Sequence, residues 1–163
     1  YPPNRQAAEW LDREIVPALH RLRPSTRVVV AGRDANRLRL GNVEVMSDVA
    51  SIPAILGRSR VALVPLVGIG TGVPTKALEA ARCGAALVVT PWVKAQVHLP
   101  ARVGDDATEL AVETVALLDD EPARQELAAR ARVAIPADGL EATAQRLEPI
   151  LSAARSELIR SCN

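Results

Sequence analysis

The chain's apolar residues switch between two periods, and the switches mark its elements. Ala8, Leu11, Ile15, Leu19 and Leu22 recur at helical spacing, which predicts an amphipathic helix over 7–22, stopped by Pro24 and Ser25. Residues 27–31 then read RVVVA, a continuous run of the kind that parallel sheets bury on both faces. Residues 43–46 predict a second, weaker strand, and 52–56 a short helix with Pro53 in its first turn. VALVP at 61–65 predicts a third strand, 74–83 a helix with Pro74 at its start, and ALVVT at 86–90 a fourth strand. Beyond it the period is helical, over roughly 107–118, 122–134 and 140–159, with turns at 119–122 and 136–139.

Strands alternating with helices at this spacing predict an α/β fold with an open, mostly parallel sheet flanked by helices. Such sheets bind ligands beyond the carboxyl ends of their strands. The stretch after the third strand, VGIGTGVPTKALEAARCG from Val67 to Gly84, lies there. Gly68, Gly70 and Gly72 let the backbone approach a ligand closely. The helix that follows turns its first amides and its dipole toward the loop, an arrangement suited to phosphate. The spacing is neither the dinucleotide fingerprint nor a Walker loop, and a plain surface loop has the same glycines. Lys76 and Glu79 share one face of the predicted helix, opposite Ala77, Leu78 and Ala81. That pair reads either as a solvated i,i+3 ion pair or as a cation for phosphate beside a carboxylate for a ribose diol.

Composition narrows the classes. Lys and Arg number 20 and Asp and Glu 19, for a net charge of +1, a balance that argues against binding nucleic acid by charge alone and leaves room for a local cationic pocket. Aromatic residues make up only 2% and Phe is absent, which leaves Ala, Val and Leu to form the core. Cys83 and Cys162, with His20 and His98, have no zinc-like spacing. No apolar run reaches the length of a membrane span, and reduced cysteines fit a cytoplasmic setting. Asp34 and the pair Asp105 and Asp106 read as loop or cap residues. Arg33 is a weaker phosphate candidate.

At GIGTGVPTKALEAARCGAALVVT the chain resembles the GT-B glycosyltransferases of group 1, family 4-like, in their carboxyl-terminal donor domain. The likeness rests on a Gly-x-Gly-Thr loop, Lys-x-x-Glu-Ala, a glycine and a β-branched strand ending in Thr. YPPNRQAAEWLDREIVPAL, RVVVAGRD, VEVMSDVASIPAILGRSRVALVPL and DDATELAVETVALLDDEPARQELAARAR are similar to neighbouring segments in the same order, so it covers nearly the whole chain. The resemblance implies a Rossmann-like fold, the carboxyl-terminal half of a GT-B enzyme. It implies that Glu79 holds the ribose and that Gly68, Ile69, Gly70 and Thr71, with Lys76, hold the diphosphate. Ser47, Asp48 and Val49 would frame the base. The donor substrate would be a nucleotide diphosphate sugar, with no cofactor and no metal.

Three departures stand out. Thr71 occupies the place where many relatives carry a further Glu. PWVKAQVHL, with Trp92, Lys94 and His98, follows Thr90 where relatives have a glycine-bearing turn. The chain, 1–163, lacks the domain's first strand and the amino-terminal acceptor domain. The resemblance therefore implies a glycosyltransferase only as part of a longer chain, with this piece inactive alone. Its partners would be the donor and the missing domain, with no nucleic acid and no transmembrane segment. Peripheral membrane association of the full-length enzyme is compatible with this. Two rival readings stay open: a nucleotide-binding module of another Rossmann-like class, and a non-catalytic interaction domain.

Overall fold

The computed structural model describes residues 2–68 and 73–135. The predicted terminal helix over 140–159 lies outside the described residues. The chain opens with α1 (Pro2–Trp10), a π-helical turn (Leu11–Ile15) and α2 (Val16–Leu22). The helix thus starts five residues before the predicted start at 7. The π turn makes room for two things at once. Ile15 and Val16 are fully buried, while Asp12 turns inward and is only 6% exposed. Its Oδ1 accepts from the amides of Gly41, at 2.9 Å, and Asn42, at 2.6 Å. Asn42 Nδ2 donates in return to the Asp12 carbonyl at 2.9 Å. Three hydrogen bonds across some thirty residues tie the first helix to a distant turn, and they satisfy a carboxylate that burial would otherwise penalise.

The strands follow in order with their helices: β1 (Val29–Gly32), a 3-10 turn (Ala35–Arg37), β2 (Glu44–Ser47), α3 (Ile52–Leu56), β3 (Val61–Val64), α4 (Thr75–Arg82) and β4 (Ala86–Val89). Then come α5 (Pro91–Val97), β5 (Arg102–Val103), α6 (Ala107–Asp119) and α7 (Glu121–Ala134). Every strand pairing is parallel: Val29 opposite Glu44, Val61 opposite Ala86, and Val88 opposite Arg102. The sequence pattern had not indicated α5 or β5. The first carries its own signal, Thr90 as cap followed by Pro91. The second is two exposed residues, too short for periodicity to register.

Alternation along β3 and β4 separates two apolar layers. Val64, Leu87 and Val89 face one cluster with Ala77, Ala80 and Ala81 of α4, Val93 of α5 and Ala131 of α7. Ala86 and Val88 face the other, with Leu11, Ile15 and Val16, and with Leu110 and Leu117 of α6. The small alanines of α4 let that helix lie close on the sheet. Gly104 does the same for α6. A Cβ there would meet the Leu110 amide nitrogen at 2.6 Å and the Glu109 carbonyl carbon at 2.9 Å.

Among the described residues the sheet is not continuous. β1 and β2 form one sheet, and β3, β4 and β5 another. Yet Val28, Val30, Val61 and Leu63 all pack against the same cluster, so the two sheets lie over one helical layer. The carbonyl of Val28 accepts from Glu44, that of Gly32 from Asp48 just past β2, and that of Arg60 from Ala86. By alternation, the backbone groups of Val29, Ala31, Val61 and Leu63 point away from these partners. Among the described residues no strand pairs with them. In β1 and over Val61–Leu63 the side chains are only half-buried, whereas β4 is buried throughout.

Gly104→Ala should destabilise the protein by about 1–3 kcal/mol, because the added methyl meets backbone rather than a movable side chain. Urea unfolding checks this as a lowered midpoint with an unchanged slope.

Candidate functional site

The carboxyl ends of β1 and β2 carry a recess of about 350 Å³ lined by Gly32, Arg33, Asp48, Val49 and Ile52. Parallel pairing in register, with Gly32 opposite Ser47, brings the two strand ends together. The Asp48 amide then donates to the Gly32 carbonyl at 3.1 Å. Both strands leave through a left-handed residue, Asp34 at φ 56° and Asp48 at φ 51°. Aspartate tolerates this region because its short side chain bonds locally. Asp48 does so. Its Oδ2 accepts from Ser47 Oγ at 2.5 Å, and its Oδ1 accepts from the Asp34 amide at 3.4 Å. Asn36 Oδ1 lies 3.3 Å from the same Ser47 hydroxyl.

These bonds hold the Asp48 carboxyl below the usual carboxylate range. The Ser47 hydroxyl contributes most and the Asp34 amide next, with Arg33 and Arg37 adding positive charge. Of the residues proposed from sequence to frame a base, Asp48 and Val49 line the recess, and Ser47 sets the position of Asp48. Arg33, weighed only as a lesser phosphate candidate, lines it as well. Asp34 occupies the cap position of the 3-10 turn without a side-chain cap bond.

The second group sits where β3 ends. Val64 and Pro65 are buried, Leu66 is half-buried, and Val67 and Gly68 are exposed. Gly68 has φ 50°, a conformation in which a side chain is strained. Ile69, Gly70 and Thr71, the rest of the expected diphosphate cradle, lie outside the described residues. Pro74 proves to be the cap residue of α4 rather than its first helical residue, because Thr75 begins the helix. A proline has no side-chain acceptor, so none caps α4 among the described residues. Capping is supplied by Ser51 to α3, Thr90 to α5, Asp106 to α6 and Asp120 to α7. Lys76 and Glu79 are both exposed on α4, while Ala77, Ala80 and Ala81 form its buried face. No ion pair joins Lys76 to Glu79 among the described residues, and neither lines the recess beside Asp48.

The residues after β4 form α5 and its end. Trp92 is half-buried against the core. Lys94 Nζ donates to the Leu99 carbonyl. His98 is exposed and closes α5 in a left-handed conformation. His20 is half-buried, with Nε2 2.9 Å from the Thr26 carbonyl oxygen. Among the described residues no group of three or more His, Cys, Asp or Glu is placed to hold a metal ion. No described helix is long and apolar enough to cross a membrane.

The profile of the family described as glycosyl transferases group 1 matches residues 1–120. No curated protein matches the sequence. Among solved structures, the chain is similar to that of WaaG, a glycosyltransferase involved in lipopolysaccharide biosynthesis. They share 20% identity and a TM-score of 0.59, over 82% of this chain and 41% of that one. It is also similar to the carboxyl-terminal CMP-Kdo binding domain of WaaA from Acinetobacter baumannii, at 15% identity and a TM-score of 0.49. That match covers 83% of this chain and 85% of the other. The chain therefore spans less than half the length of WaaG.

Titration of Asp48 by carboxyl-carbon NMR should give a midpoint below that of an ordinary aspartate. Ser47→Ala should move it upward. A carboxyl depressed on folding stabilises the fold above its unfolded value and ceases to as pH falls through its folded one. Any contribution from Asp48 is thus present at neutral pH and disappears only in acid.

Proposed function

We propose that this chain, which belongs to the group 1 glycosyl transferases, forms the donor-binding half of an enzyme that transfers a glycosyl group from a nucleotide diphosphate sugar. The observation that carries this reading is the recess at the carboxyl ends of β1 and β2, built by Asp48, Val49 and Arg33. It opens where parallel α/β sheets take their ligands. In this reading the base enters against Val49. The Ser47–Asp48 pair, with Asp48 held as an acceptor-only carboxylate, selects the donor groups on its rim.

The diphosphate then lies along the loop after β3. Gly68 supports that placement: its left-handed conformation, with no described residue within 4 Å of where a Cβ would sit, lets backbone approach a phosphate. So does α4, whose first amides meet no side-chain cap among the described residues. Lys76 supplies a cation one turn into that helix, and Glu79 accepts from the ribose hydroxyls. Charge that builds on the leaving diphosphate would be met by N–H groups, a helix terminus and Lys76, which stabilise it without reorganising. Acceptor binding and the general base belong, in this reading, to an amino-terminal domain outside the chain, and this piece alone turns over nothing.

The break between the sheets belongs to the same proposal. A parallel strand lying between β1 and β3 would pair Val29 and Ala31 on one side and Val61 and Leu63 on the other. α2 ends at Leu22 and enters β1 at Val29, at the amino ends of the strands. α1 therefore starts near their carboxyl ends, where a preceding parallel strand would leave the sheet.

Calorimetry on the full-length enzyme with UDP, GDP, ADP and NAD tests the donor reading. Tightest binding to one nucleoside diphosphate is expected, and binding of NAD alone overturns it. Glu79→Ala should weaken that diphosphate about 10- to 100-fold, as loss of a hydrogen bond to a charged acceptor does, with the fold intact by circular dichroism. For the architecture, amide exchange in the full-length enzyme should be at least about 1,000-fold slowed at Val29, Ala31, Val61 and Leu63. Rapid exchange there, or protection that fades on dilution, is the opposing result.

A further inference from the structure

We propose that Thr90 is a positioning residue: its hydroxyl fixes the backbone that leads into Gly68 and so sets the protein's grip on the donor's phosphates. The inference rests on the donor reading above. Thr90 ends the most buried strand and is itself 2% exposed. Every residue of β4 before it is apolar, and a valine there would have the same shape. A buried hydroxyl is retained at a cost unless its proton and lone pair both find partners. Here they do. Thr90 Oγ1 donates to the Leu66 carbonyl and accepts from the Val93 amide at 3.4 Å.

The two partners belong to different elements. Leu66 lies two residues before Gly68, past the end of β3. Val93 lies in the first turn of α5. Among the described residues no backbone hydrogen bond of a turn or loop is made by Leu66, Val67 or Gly68. The Thr90 hydroxyl is thus a polar tether on this exit, beside the packing of the Leu66 side chain against the first apolar cluster. It holds the exit to the end of β4, the strand on which both apolar clusters are built. Because one oxygen serves both contacts, the start of α5 and the Leu66–Gly68 exit are joined through it. The recess beside Asp48 has no contact with Thr90. Removing the hydroxyl should therefore loosen the phosphate end of the site and leave the base end alone.

That asymmetry is the test. In the full-length enzyme, affinities are measured for UDP, GDP and ADP and for uridine, guanosine and adenosine, and the best-bound pair is followed. Thr90→Val is expected to weaken the diphosphate about 3- to 10-fold, the value of one hydrogen bond. The nucleoside should stay within about twofold, and Thr90→Ser should restore the diphosphate. Asp106→Ala, which removes a helix cap far from the loop, controls for lost stability and should leave the ratio of the two affinities unchanged. Should Thr90→Val not fold, Thr90→Ala replaces it with the same expectation. Equal weakening of both ligands, or none, overturns the positioning role. If the wild-type enzyme binds none of the three diphosphates, the donor reading fails first and takes this one with it.

Discussion

Everything in this fold hangs on a four-residue strand. Ala86, Leu87, Val88 and Val89 are wholly buried, with odd residues turned to one layer of helices and even residues to the other. A parallel strand in that position must be apolar on both faces, since neither side offers water to a polar group. Each of its larger side chains contributes about 1.5–3 kcal/mol by leaving water, a large share of the net stability of an ordinary domain. With β4 fixed, β3 and β5 are set in register beside it, and α4, α5 and α6 take their places from it.

The recess follows from strand direction. Parallel strands of one sheet end on one side, so the turns after β1 and β2 lie together without a dedicated scaffold. The chain uses unusual backbone at three strand exits: Asp34, Asp48 and Gly68 are left-handed. At two of them aspartate replaces glycine and adds charge. Arg33 and Arg37 lie close enough to Asp48 to favour its ionised form, which gives this corner both signs of charge within one recess.

Much of this was legible in the residues. The runs RVVVA, VALVP and ALVVT announced β1, β3 and β4, because a buried parallel strand has no polar face to interrupt it. The alanines of the Lys76–Glu79 helix announced which side packs. Ser47, Asp48 and Val49 were named through resemblance, since nothing local distinguishes an Asp in a turn from one that lines a recess. That Arg33 lines the same recess was not legible for the same reason. The π turn could not be read, because apolar spacing over Leu11–Ile15 is close to that of an ordinary helix. The buried role of Asp12 depends on Gly41 and Asn42, some thirty positions away. β5 was invisible because two exposed residues carry no period. Pro74 was misplaced by a single residue, the usual scale of uncertainty at a helix end.

The interrupted sheet has a consequence for the molecule's edges. Two rows of backbone amides and carbonyls, flanked by valines, have no strand partner among the described residues, and an open row of that kind is a template for an extended segment. A single strand seated between β1 and β3 would satisfy both rows at once, so whatever covers that seam removes two adhesive edges in one step.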